Sequence, residues 1–322
     1  MAISLGVGIC AAAGGAGGCG NVTVDAGPGA TRGDAGADGS AGGAGSAGTV
    51  ACDVHTPFGA PVAAAAFNSD VGDDGLSFSS DGLTAYISSA RSSRGDFDIF
   101  TLTRPSADQP FGSATALDGG INTADQERDP HVSRDGLKLY YFSNHGLGAT
   151  FDLFVSTRAS LSASFGPGVP LAALNSTANE FNPFPTSGDQ VLYFASDRPG
   201  GAGGTDIYRA PLAVTATTVA PSLISEISTA ASEYRPVPSD DGLTMYFDRV
   251  GAANDDILVA TRATATDPFG PARAVTELNS AGIDYPIWLS TDRCTIYFGS
   301  DRSASGPGRN TGFDIYMAAR TR

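Results

Sequence analysis

Ser133-Arg134-Asp135-Gly136-Leu137-Lys138-Leu139-Tyr140 is one of five versions of a single pattern in this chain. The others run from Ser79 to Tyr86 (SSDGLTAY), Thr186 to Tyr193 (TSGDQVLY), Ser239 to Tyr246 (SDDGLTMY) and Ser290 to Tyr297 (STDRCTIY). Their tyrosines, at 86, 140, 193, 246 and 297, stand 54, 53, 53 and 51 residues apart. A period of that length, held through five copies, marks a repeat architecture in which each unit packs against its neighbours.

Each copy runs on into an acid followed by two apolar residues: Asp98-Ile99-Phe100, Asp152-Leu153-Phe154, Asp206-Ile207-Tyr208, Asp256-Ile257-Leu258 and Asp314-Ile315-Tyr316. A third landmark lies upstream, as Pro57-Phe58-Gly59, Pro110-Phe111-Gly112, Ser164-Phe165-Gly166 and Pro268-Phe269-Gly270; one copy has lost it and reads Thr217-Thr218-Val219. Asp-Gly between apolar residues signals a hairpin, because glycine accepts the positive φ of a tight turn. The aromatic and β-branched runs that follow favour strands, and no segment carries helical periodicity. About 53 residues therefore hold four short antiparallel strands, a sheet that cannot bury both faces alone but can in a ring of copies. The expectation is an all-β, five-bladed β-propeller of four-stranded blades. The repeats begin at Phe58 with the fourth-strand type and end after Asp314-Ile315-Tyr316 with the third. The N-terminal strand is thus predicted to complete the last blade, which closes the ring and removes exposed sheet edges.

The first fifty residues read differently. Met1 to Ala13 (MAISLGVGICAAA) has the apolar core of a secretory signal peptide, without the positively charged start. Ala16-Gly17-Gly18-Cys19 resembles a bacterial lipobox, although leucine is missing three residues before the cysteine. Lipidation at Cys19, a plain signal peptide and an untargeted tail all stand as readings. Residues 20–51 are rich in Gly, Ala and Asp and almost free of large apolar side chains, the composition of a disordered tether. The predicted organisation is 1–19 signal peptide and lipobox, 20–51 tether and 52–322 propeller.

With 34 acidic against 19 basic residues, the net charge of −15 repels phosphate backbones and anionic headgroups, so no nucleic-acid partner is expected. No apolar run approaches the roughly 20 residues of a membrane-spanning helix, and membrane contact is expected only through a lipid anchor.

Taken together, the Ser-x-Asp-Gly turn, the apolar Tyr-Phe strand, the Ser-x-Arg of Ser196-Asp197-Arg198 and the Asp-Ile-Tyr triplet resemble the TolB-type, WD-repeat-like propeller repeat. Leu174-Asn175-Ser176 and Leu278-Asn279-Ser280 are similar to copies in bacterial envelope proteins, some associated with OmpA-like domains. The resemblance covers Pro57 to Arg322. It implies a protein-binding scaffold. The N-terminal signals predict export, to the outer membrane, the periplasm or the cell surface, and the chain is expected to be monomeric. TolB itself has six blades, one more than is counted here.

Hydrolase elbows and zinc-protease motifs are absent from the sequence, and of the three histidines, His55, His131 and His145, the last two are assigned structural roles. No cofactor is expected. Counting back 13 residues from each repeat tyrosine gives an acid every time: Asp73, Glu127, Glu180, Glu233 and Asp284. On innermost strands these five carboxylates form a ring at one channel mouth. They either bind a cation or ligand there, or are held by backbone N–H groups and arginines. Arg91, Arg198, Arg302 and Arg249 follow the tyrosines; they pair with Asp98, Asp206, Asp314 and Asp256, or recognise a partner's carboxylate. Cys52 and Cys294 either bridge the ring closure or remain as a free and a buried thiol. Three functions follow. The chain is a non-catalytic envelope module binding a protein or glycan, a five-bladed glycoside-acting enzyme with carboxylates at the channel mouth, or a purely structural lipoprotein.

Overall fold

The computed structural model describes residues 52–321 except 93–95, 147–149, 187, 189, 213–219, 253 and 303–311. The signal peptide, the lipobox with Cys19, the tether and the Thr217-Thr218-Val219 segment therefore lie outside the described residues. The chain divides after Gly48, and the described part belongs to the second unit, Thr49–Arg322.

Five four-stranded antiparallel sheets follow one another along the chain. Blade one comprises Asp73–Phe78, Thr84–Ser89, Asp98–Thr103 and Thr115–Ala116. Blade two comprises Glu127–Val132, Lys138–Ser143, Asp152–Thr157 and Val169–Pro170. Blade three has Glu180–Pro185, Val191–Ser196, Asp206–Pro211 and Ser222–Leu223. Blade four has Glu233–Pro238, Thr244–Val250, Asp255–Thr261 and Arg273–Ala274. Blade five takes Asp284–Leu289, Thr295–Ser300 and Asp314–Ala319 from the C-terminal end of the chain and Val62–Ala63 from the N-terminal end. The five-bladed propeller and its closure are as the repeats require.

The closing strand is shorter and later than the Phe58 landmark suggests. Val62 and Ala63 pair with Met317 and Tyr316, while Phe58 makes only an isolated bridge to Arg320. Phe58 acts instead as a plug, buried beneath the Arg320 guanidinium at 3.9 Å. The same arrangement recurs as Arg104 over Phe111, Arg158 over Phe165 and Arg262 over Phe269, at 4.4–4.6 Å. Each of these arginines also donates to a carbonyl of its blade's hairpin turn, at Gly82, Gly136, Gly242 or Arg293. In the copy that lost the Phe-Gly landmark, Leu212 stands where the others have arginine. Ring and cation are lost together.

The turns have the chemistry their sequence announces. Ser79 and Leu83 both donate to Asp81, and Gly82 takes φ of 68°. Gly136 and Gly242 repeat it at 71° and 66°, and Arg293 adopts 59° in the fifth copy. Apolar side chains gather into five buried clusters, one at each junction between blades; Tyr86, Ile99, Ile121, Leu139, Tyr141 and Phe154 belong to that between blades one and two. Each fully buried large side chain contributes roughly 1.5–3 kcal/mol, so the ring is held by its junctions.

Cys52 and Cys294 are joined by a disulfide with Cα atoms 5.8 Å apart. Two strand spacings would separate them by roughly 9.5 Å. The gap closes because Cys52 precedes the strand, in a segment folded back by a turn from Asp53 to Thr56 and held by Arg320 on the Thr56 carbonyl.

Candidate functional site

The acid that opens each inner strand lies opposite the last or next-to-last residue of the second strand: Asp73 with Ser89, Glu127 with Ser143, Glu180 with Ser196, Glu233 with Arg249 and Asp284 with Ser300. All five are fully buried. A serine or threonine four residues upstream donates its backbone N–H and hydroxyl to each, as Ser176 does to Glu180 at 3.0 and 2.6 Å. Four receive an arginine of their own blade: Arg91 on Asp73 at 2.6 Å, Arg198 on Glu180 at 2.9 Å, Arg249 on Glu233 at 2.7 Å and Arg302 on Asp284 at 2.5 Å. The same guanidiniums cap the carbonyls of Phe67, Leu174, Ile227 and Leu278. The loop arginines thus reach the inner-strand acids, not the third-strand acids Asp98, Asp206, Asp256 and Asp314 considered from sequence. None of the five acids lines the cavities described below.

Blade two departs from the rule. His145 stands where blades one, three and five carry arginine, blade four placing Arg249 two residues earlier, and it turns to Asp125 at 3.2 Å. Among the described residues Glu127 keeps only hydroxyl and backbone donors, and burial pushes its carboxyl above the usual range.

A second element, the asparagine of the Leu-Asn-Ser stretches and its counterparts, also repeats. Asn68, Asn122, Asn175 and Asn279 each clamp both the N–H and C=O of one residue on the preceding third strand, namely Ile315, Ile99, Leu153 and Ile257.

Two residues further along the inner strands, the repetition stops. The third position carries Gly75, Asp129, Asn182, Arg235 and Pro286 in blades one to five. Each inner strand has a register shift here, and Gly75, Asp129, Asn182 and Arg235 take φ of 47–53°. A bulge of this kind re-aims a side chain, in this case toward the ring axis. Second-position Asp74 and Arg128 join the group, as does Asp248 from a second strand. Strand alternation separates Asp73, which faces its ring arginine, from its neighbour Asp74, which is ion-paired with Arg128. Asn182 donates to Asp129, Arg235 pairs with Asp248 at 3.4 Å, and the Arg235 guanidinium lies 3.7 Å above the Tyr285 ring.

The electrostatics of this group are uneven. Burial opposes ionisation of Asp74, yet Arg128 and Arg235 outweigh it and hold the carboxyl below its ordinary range. Asp129 is pushed up to about 6 by burial and by the Asp74 charge. Burial raises Asp248 to about 7. The Tyr285 hydroxyl, Asp248 Oδ1 and Asn182 Oδ1 are buried without a hydrogen-bond partner among the described residues.

Along the axis, the space beside Gly75, Asp129, His131, Asn182 and Arg235 amounts to about 10 Å³. A Cβ at Gly75 would stand 2.8 Å from the Cα of Asp129. The axis is therefore plugged, and two separate mouths remain. Where the inner strands begin, a cavity of about 250 Å³ is lined by Arg128, Phe181, Asn182, Tyr234, Arg235 and Asp255. Where they end, a wider one of about 450 Å³ has Phe78, His131, Phe184, Trp288 and Tyr297 in its wall. Sequence reading, tuned to what recurs, passed over the axial group. Its signal was the reverse: one column of the repeat with five different residues.

No protein-family model matches the chain, and no curated protein matches it in sequence. Solved structures share its fold. An endo-arabinase from Bacteroides thetaiotaomicron superimposes with a TM-score of 0.54 at 16% identity, over 83% of this chain and 98% of that one. TolB from Acinetobacter baumannii gives 0.46 at 13% identity, over 79% of this chain and 56% of that one. The catalytic domain of a GH62 alpha-L-arabinofuranosidase from Coprinopsis cinerea gives 0.46 at 13%, over 78% and 91%. At such identities the likeness is one of fold alone, and a shared fold does not assign a function.

Proposed function

We propose that this chain is a non-catalytic binding or scaffolding propeller of the cell envelope, anchored through a lipid at Cys19 and presenting one face to a protein or glycan. The observation that carries this reading is the plugged axis. Carboxylates that cleave a glycosidic bond stand roughly 5–10 Å apart with the sugar between them. Asp74, Asp129 and Asp248 are tied to Arg128, Asn182 and Arg235, and the adjoining space of about 10 Å³ has room for about one water. The Cys52–Cys294 bridge supports export, because such bonds persist in oxidising compartments.

The test places a photo-crosslinking residue at Ser80 or Thr291, on the rim of the wide mouth, in cells. Both positions are expected to trap an envelope component that a probe at Val169, on an outer strand, does not. Equal trapping at all three overturns a dedicated face. Cys19→Ser is expected to release the protein from the membrane fraction, and unchanged fractionation removes the anchor.

A glycoside-acting enzyme is the second reading. It is favoured by Asp74 being held ionised beside Asp129 at about 6, the split that acid–base pairs use. Incubation with arabinan and other envelope or plant glycans separates the two. Binding without new reducing ends is expected, and release abolished by Asp129→Asn would install the enzyme.

A further inference from the structure

The wide mouth is built from another column at which the copies disagree. The inner-strand residues opposite the repeat tyrosines are Ser77, His131, Phe184, Val237 and Trp288. All but Val237 line the cavity. Trp288 is half-buried, with Phe78 edge-on at 4.9 Å and Tyr297 at 6.0 Å behind it. Part of an indole, braced by two further rings, is therefore open to the cavity.

His131 supplies a polar group in the floor. It is buried, and its ring lies 4.3 Å from that of Phe184. Burial holds it down at about 3, so it stays neutral and offers one donor and one acceptor. The charged groups in the lining balance, two of each sign. Asp81 is bound to Ser79 and Leu83 of its own turn, and Arg104 to the Gly82 carbonyl. Arg134 faces Asp240 at 3.9 Å. Nothing in the lining calls for a charged ligand. Aromatic surface, a neutral donor–acceptor and rim hydroxyls at Ser80, Thr186 and Thr291 complement a ring with an apolar C–H face and hydroxyls at its edge.

We propose that the wide mouth binds a neutral saccharide, with one sugar ring packed on Trp288 and its hydroxyls on His131 and the hydroxyl-bearing rim. The proposal rests on the binding reading above and names its ligand class and its face.

Trp288 is the only tryptophan in the chain, so its emission reports this cavity alone. The full-length protein is titrated with neutral oligomers of arabinose, galactose, glucose and N-acetylglucosamine, with a galacturonate oligomer, and with apolar peptides. A saturable emission change with at least one neutral oligomer is expected. Thr291→Arg, which fills the mouth from an exposed position, is expected to weaken it about tenfold or more with an unchanged melting curve, and His131→Ala to weaken it as well. If only the galacturonate oligomer or a peptide shifts the emission, the saccharide assignment is overturned. If no titrant does, while probes at Ser80 and Thr291 still trap an envelope protein, the saccharide fails and the binding reading survives. If neither titration nor trapping succeeds, both fall.

Discussion

Two columns of the inner strands, two residues apart, behave in opposite ways. The first is acidic in every blade, fully buried, and held by a hydroxyl in all five and an arginine in four. The third differs in all five blades, turns toward the axis and, at Asn182 and Arg235, leaves polar atoms without a partner among the described residues. A position that must do the same thing in every blade holds the blade together. Where each blade contributes something different, the ring acquires a polarity that symmetry alone cannot supply. Repetition locates the scaffold, and its failure locates the site.

The largest effect expected concerns the first column. Glu180→Ala leaves Arg198, only 14% exposed, without its carboxylate and two hydroxyls without an acceptor. A loss of about 3–5 kcal/mol in urea unfolding is expected, and Glu233→Ala should cost about as much. A loss under about 1 kcal/mol in both would break the comparison from the structural side.

Asp248→Asn examines the axis. A carboxyl raised to about 7 when folded, against an ordinary value near 3.8, binds its proton more tightly in the folded state. Its contribution to stability is complete below about pH 4 and is lost as pH rises through about 7, so wild type should lose about 3 kcal/mol between pH 5 and pH 8 from this group. The asparagine variant should flatten that slope, as read by denaturation at each pH. A slope equal to wild type would clear Asp248 of the effect.

A smaller gain is expected from His145→Arg, which restores in blade two the arginine that Glu127 lacks. Its carboxyl should fall toward the usual range, and stability at pH 7 should rise by about 1 kcal/mol. No change in the Glu127 titration, followed by NMR, would show that the blade-two loop cannot present the guanidinium as the other loops do. Least of all, Ser80→Ala on the exposed rim should leave stability within about 0.5 kcal/mol while weakening whatever the wide mouth binds. A destabilised variant would place that rim in the scaffold.

Blade number, strand order and ring closure were all legible in the sequence. They rest on local signals, the turn chemistry of Asp81-Gly82 and the strand preference of Leu139-Tyr140-Tyr141, repeated at a constant period. Closure needed only the observation that the first strand type in the chain is the one missing at its end. The arginines were different. Ser89 has Asp73 beside it on the inner strand and Asp98 beside it on the third, at matching register. Sequence spacing cannot say to which side Arg91 turns. Tertiary structure decides, because only on the inner side can the guanidinium also cap the buried Phe67 carbonyl. The axial group lies further from sequence still. Asp74 and Arg128 are 54 residues apart, and Asp129 and Asn182 are 53 apart. Nothing local brings them together; they meet because the inner strands of different blades face one axis, and that axis exists only once the ring has closed.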